Sequence, residues 1–168
     1  SRGLVGSEMC IRDSKKPDLK KLQAEIAEFY AENLPAAQQV QAELSDYTNE
    51  ALTLSAPLSL NHNDHGNAFG GSLYNIAVLA GWTALFLECR ERIERPHIVT
   101  RDAQIRYRHP VTENVIEAIC KLPNKRQWDG FFAHYEKSGQ TTISLSCTIA
   151  SGGEIAARLE ALYVLLSE

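Results

Sequence analysis

The chain is poor in the residues that make covalent staples and cofactor sites. Its four cysteines, Cys10, Cys89, Cys120 and Cys147, are scattered over 168 residues and no two form a Cys-x-x-Cys. That spacing suggests neither a disulfide framework nor a zinc knuckle, and it fits a reducing, cytoplasmic setting. Positive charge is also scarce: 17 Lys and Arg against 21 Asp and Glu leave a net charge of −4. A nucleic-acid partner usually needs a basic surface, so none is expected. No run of apolar residues reaches membrane length. The longest, residues 73–87, falls short of the roughly 20 residues a bilayer needs and is interrupted by Asn75. A buried helix fits it better than a membrane span. The opening "SRGLVGSEMCIRDS" has no hydrophobic block followed by a small-residue cleavage site, so it carries no secretory signal. It looks like translated vector or adaptor sequence, and residues 1–14 are read as a leader outside the fold.

What is present is ordinary for one globular domain: 44% hydrophobic and 23% charged residues, enough for a real core. No linker, repeat or low-complexity segment divides residues 15–168. Pro17 and Asp18 can open an amphipathic helix carrying Leu19, Leu22, Ile26, Phe29 and Tyr30. Pro35 ends or kinks it, and residues 36–44 can continue as a second short helix. From residue 51 the apolar period changes to two: Leu52, Leu54, Ala56, Leu58 and Leu60 predict a half-buried strand, with Pro57 suggesting an edge or a bulge. After Gly70 and Gly71 an apolar run to about Arg92 has the length of a five-turn helix. It is apolar nearly all round, so it should be enclosed.

Alternation then returns. Val99, Ala103, Ile105 and Tyr107 share one face, and Ile116, Ala118, Cys120 and Leu122 the next. Residues 128–136 are rich in aromatics behind a turn at "NKRQWDG" and are read as a strand. Ile143, Leu145, Cys147 and Ile149 alternate cleanly, and "SGGE" is a turn. The last piece, "IAARLEALYVLL", has helix-favouring composition but a strand's position. The order predicts an α+β fold: an antiparallel sheet against one long buried helix, with an amphipathic helix in front.

The polar knot "NHNDHGNAFGGSLY", residues 61–74, sits before the apolar helix. His62, Asp64, His65, His97, His109 and His134 offer ligand chemistry, but no HExxH or Cys partner frames them, and no metal is expected. "GNAFGG" lacks both GxxxxGK[ST] and GxGxxG, and Ser72 lacks a GxSxG elbow, so it reads as an N-cap or first-turn residue. What remains is a site that polarises a carbonyl. Glycines entering a helix leave backbone N–H groups open, the helix dipole favours negative charge there, and Asn63 adds an amide donor seven residues before Gly70. Equally, Asn61 and Asn63 can simply stitch the loop together through side-chain to backbone bonds.

Two stretches carry a family resemblance. "IRYRHPV", residues 105–111, resembles the Tyr-x-x-Pro-Val signature of hot-dog acyl-thioester enzymes. "APLSLNHNDHGNAFGGSLYNIAVLAGW", residues 56–82, resembles the stand-alone relatives of the YiiD carboxy-terminal domain, long grouped with the thioesterases and now associated with malonyl-acyl-carrier-protein decarboxylase activity. The resemblance covers residues 15–168. It implies a hot-dog fold, a homodimer with the acyl site at its interface, and a substrate on acyl carrier protein or CoA. It places Asn63, Asn61, Gly70 and Gly71 in the catalytic set, and His62, Asp64, His65, Phe69, Ser72 and Arg108 around the substrate. Arg101, Arg106, Lys125 and Arg126 are further candidates for the phosphopantetheine arm. In many hydrolytic members an acid follows about eight residues into the helix; here that position is Val78. Loss of CO2 from a malonyl thioester needs no water-activating base and no cofactor, only a carbonyl held as it becomes an enolate. Water, His62 or His65 could then supply the proton. Hydrolysis with Asp64 or Glu88 in the acid's place, and a non-catalytic acyl-binding module, are the rival readings.

Overall fold

Asp18 accepts a hydrogen bond from the Lys20 N–H as the N-cap of α1 (Leu19–Asn33). The structure, a computed structural model, describes residues 18–168, so the leader with Cys10, and Pro17, lie outside the described residues. Leu22, Ile26 and Tyr30, four apart, form the buried stripe of α1. The Tyr30 hydroxyl meets Thr83 Oγ1 at 2.7 Å. Pro35 starts a new helix, α2 (Pro35–Val40), as its fixed φ allows. Gln41 adopts left-handed backbone (φ 52°) and stops it. The chain then enters β1 (Glu43–Tyr47) rather than continuing as helix to Leu44. Only Leu44 of that strand is buried, so it carries too little alternation to announce itself.

Six antiparallel strands follow the order β1-β2-β4-β5-β6-β3. In β2 (Ala51–Pro57) Leu52, Leu54 and Ala56 face the core, as the period of two predicts. Pro57 marks neither an edge nor a bulge; it is the last residue of an interior strand, opposite Val115, and the chain turns there into a short 3-10 segment, Leu58–Leu60. The long helix, α3 (Gly70–Cys89), is buried around most of its circumference. By length and composition alone it could cross a membrane, but it packs against β2, β3, β4, β5 and β6 instead. Gly81 allows the closest approach. A Cβ there would overlap the Tyr163 hydroxyl and come within 2.8 Å of the ring, and that hydroxyl donates to the Val78 carbonyl at 2.7 Å.

The edge strand β3 (His97–Tyr107) departs from the single-face reading. A bulge between Thr100 and Asp102 inserts Arg101 and reverses the parity. Ile98 is therefore buried at 7% exposure while Val99, at 37%, points away from the face of Ala103 and Ile105. β4 (Val115–Lys121) buries Ile116, Ala118 and Cys120 as expected. The aromatic segment after it is helix, not strand. Asn124 and Gln127 form a reciprocal capping box at the start of α4 (Lys125–Ser138), and Gly139 (φ 75°) ends it. Trp128, Phe131, Phe132 and Tyr135 fall at helical spacing, and the first three are buried. β4 pairs with β5 (Gln140–Ser151) only at residues 147–149, and α4 packs beside the earlier part of β5. Gly152 and Gly153, both with positive φ, make the two-residue turn into β6 (Glu154–Leu166). The ambiguous last segment is thus a strand. It pairs on both sides, with β5 and β3, which explains its nearly continuous apolar character. Sheet and helix together are the hot-dog arrangement.

Candidate active site

The polar knot is a closed hairpin. His62 and Ala68 form a β-bridge, the Asn63 N–H donates to the Asn67 carbonyl at 2.6 Å, and the Gly66 N–H to the Asn63 carbonyl at 3.1 Å. Gly66 takes the left-handed position (φ 82°) that the turn requires. Asn61 and Asn63 serve different ends. Asn61 is 3% exposed, and its Nδ2 donates to the carbonyls of Val40 (2.9 Å) and Pro57 (2.8 Å). It ties the loop to α2 and β2, which is the stitching alternative. Asn63 Oδ1 accepts from the N–H groups of His65 (2.9 Å) and Asn67 (3.1 Å). Two backbone donors on one oxygen fix the orientation of the amide and leave Nδ2 out of these loop bonds.

Asn63 lines a cleft of about 310 Å³ with Gly70, Leu73, Tyr107, Arg108 and His109, floored by Asn67, Ala68, Pro110 and Val111. α3 begins at this cleft. No side chain caps it, so the N–H groups of its first turn have no partner within the helix. The paired glycines have a local cause. A Cβ on Gly70 would sit 3.3 Å from the Tyr107 ring, and one on Gly71 would sit 2.8 Å from the Phe69 ring. Close backbone approach is used first by the chain's own aromatics. The Tyr107 hydroxyl donates to the Gly70 carbonyl at 2.7 Å. Burial, and then the neighbouring Tyr74, raises its pKa, so it stays a neutral donor.

Of the ten residues read from sequence, Asn63, Gly70 and Arg108 line the cleft. Gly71 and Ser72 follow in the first turn of α3, outside the lining, and Asn61 lies buried behind the loop. Asp64 and His65 stand at the hairpin tip, 86% and 80% exposed, 3.7 Å from one another. His62 is exposed, with Nδ1 on the Asn63 carbonyl at 2.8 Å. Phe69 is 56% exposed over Gly71. Val78 is half-buried against the core and does not line the cleft. Among the described residues no Asp or Glu lines the cleft, and no cluster of three His, Cys, Asp or Glu could hold a metal. Tyr107 and His109 were missed as site residues. Both belong to the "IRYRHPV" stretch that carries the resemblance, but nothing within that stretch brings them to the start of α3.

A hairpin-held amide, an uncapped helix start and a half-apolar cleft on this fold define an acyl-thioester enzyme of the hot-dog class. The sequence pattern of the family described as "Putative thioesterase (yiiD_Cterm)" matches residues 23–167, and the chain belongs to that family. A Chlorobaculum tepidum protein of unknown function is 30% identical, with a TM-score of 0.83 over 89% of this chain and 97% of that one. A Shewanella oneidensis protein named as a "putative thioesterase" is 27% identical, with a TM-score of 0.76 over 88% of this chain and 99% of that one. A Pseudomonas aeruginosa protein named "Probable Thioesterase" is 22% identical (TM-score 0.69, over 86% of this chain and 96% of that one) and shows the shared fold.

Proposed function

We propose that the chain decarboxylates a malonyl thioester carried on acyl carrier protein, giving the acetyl thioester that starts fatty-acid synthesis. One observation carries the reading: among the described residues the cleft is lined by neutral donors for a carbonyl oxygen and by no carboxylate to activate water. As the bond to the leaving CO2 breaks, negative charge builds on the thioester oxygen. The Asn63 Nδ2, oriented by its two loop hydrogen bonds, and the open first-turn N–H groups of α3 stabilise that oxygen more in the transition state than in the ground state. Arg108 is exposed and lines the cleft, which supports a role for it in binding an anionic group of the carrier or its arm. No metal or organic cofactor takes part, because the thioester itself accepts the electrons.

The site works as part of a homodimer in this reading. Among the described residues β3 is an edge strand, and Val99, Tyr107, Phe69 and Tyr74 are exposed aromatic or apolar groups on β3 or at the helix start. A second copy would cover them and deepen a cleft that is shallow in one chain. Hydrolysis is the second reading, favoured by the family's thioesterase description and by His109 in the cleft. Mass analysis of the products from malonyl-carrier protein and from a panel of acyl-CoAs separates the two. Acetyl-carrier protein without free thiol is the expected outcome; free thiol with free acid would replace decarboxylation by hydrolysis. Light scattering should give twice the chain mass.

A further inference from the structure

Decarboxylation leaves an enolate that must take up a proton at its α-carbon, and the described histidines are unequally placed to give it. His65 is in solvent at the hairpin tip, and His62 has Nδ1 tied to a carbonyl. His97 opens β3 at the end opposite Tyr107, and His134 lies on α4. His109 alone lines the cleft that holds Asn63 and Gly70. Its segment is fastened to β6, with the Arg108 and His109 N–H groups directed at the Ala156 carbonyl at 2.7 and 3.4 Å.

The two nitrogens of His109 are in different surroundings. Nε2 is fully covered and makes no hydrogen bond, yet Glu154 Oε2 stands 3.6 Å away, within ion-pair range but beyond hydrogen-bonding length. A covered ring nitrogen with only a carboxylate near it calls for a role. The side chain as a whole remains one-third exposed, so its open part is the rest of the ring. Nδ1 has only a long 3.4 Å contact to the Pro110 carbonyl, which a substrate could displace. A carboxylate beside one imidazole nitrogen sets ring orientation and leaves the other nitrogen to act.

We propose that His109 is the proton donor of the decarboxylation, with Glu154 as its positioning residue. This rests on the decarboxylase reading above. The bond between the α-carbon and the carboxylate breaks, CO2 leaves, and the electron pair passes into the enolate. The enolate pair then takes the proton from Nδ1 of the imidazolium, giving the acetyl thioester, and the neutral ring takes one proton back from solvent.

The test runs malonyl-carrier protein in equal parts H2O and D2O and reads two quantities, turnover and the deuterium content of the acetyl methyl. In His109→Gln, kcat should fall by about 10²-fold, the lower end for a lost general acid, with KM nearly unchanged. Deuterium content should move to the value of an enolate quenched by water alone. Glu154→Gln alters an exposed side chain and keeps the ring, so it should shift deuterium content in the same direction by less. Unchanged kcat and deuterium content in both variants, with normal activity in the parent chain, would overturn the donor role while leaving the decarboxylase reading intact. A parent chain that forms no acetyl thioester would remove both.

Discussion

Asn63→Asp isolates the chemistry of the loop from its folding. The substitution keeps an oxygen where Oδ1 accepts from His65 and Asn67, so both loop hydrogen bonds survive. It replaces the Nδ2 donors with a second carboxylate oxygen, so the amide donors are lost and the added negative charge opposes an oxyanion further. Losing one such donor to a developing oxyanion costs about 10²–10³-fold in kcat, about 2.7–4 kcal/mol of transition-state stabilisation. Asn63→Ala removes the donors and also strands two backbone N–H groups. At about 1 kcal/mol per lost hydrogen bond, and about 2–4 °C per kcal/mol at this chain length, its melting temperature should drop by about 4–8 °C. Asn63→Asp should melt near the parent. Steady-state release of CO2 from malonyl-carrier protein, beside thermal melts of the same three samples, gives both axes. If Asn63→Asp keeps kcat within about threefold of the parent, the loss predicted for an oxyanion donor is absent. Asn63 would then be a loop staple like Asn61, and the carbonyl-holding reading would fall.

Three further outcomes test the scaffold. Gly81→Ala should destabilise by about 1–3 kcal/mol from overpacking on Tyr163 despite alanine's better helix propensity; denaturant melts check it, and pairing it with Tyr163→Phe should recover part of the loss. Glu113 accepts from the Gly152 N–H at 2.6 Å and Ser151 Oγ at 2.9 Å, which hold its pKa below the usual carboxylate value. A depressed folded-state pKa stabilises at neutral pH and loses that contribution as pH falls through it; amide protection at the β5–β6 turn, taken relative to intrinsic exchange at each pH, should therefore fall at low pH, and Glu113→Gln should remove that fall. Asn124→Ala should cost about 1 kcal/mol by breaking the capping box of α4, seen as a lower denaturation midpoint with the slope unchanged.

The long helix and most strands were legible because each buries a continuous face, and burial writes its period into the residues. Leu52, Leu54 and Ala56, or Ile116, Ala118 and Cys120, could hardly read as anything else. The misread segments are those where a local device outweighs the period. In α4 the aromatics at positions 128, 131, 132 and 135 suit a strand by composition, but their spacing and the Asn124–Gln127 box specify a helix. In β3 one inserted residue at an edge reverses every side chain before it, which no alternation rule can locate in advance. The site divides the same way. Asn63 and Gly70 were legible as candidates that share one cleft, because a helix start and an amide make a recognisable donor set. His109 was not, because its place in the cleft depends on an edge strand returning to the start of α3, a contact between residues 37 apart fixed by the Tyr107–Gly70 hydrogen bond. The polar residues that stand out most in the sequence, Asp64 and His65, lie in solvent because a hairpin tip must be polar. Polarity marks the turn of this loop, and the donors that face the cleft lie on its legs and at the helix it leads into.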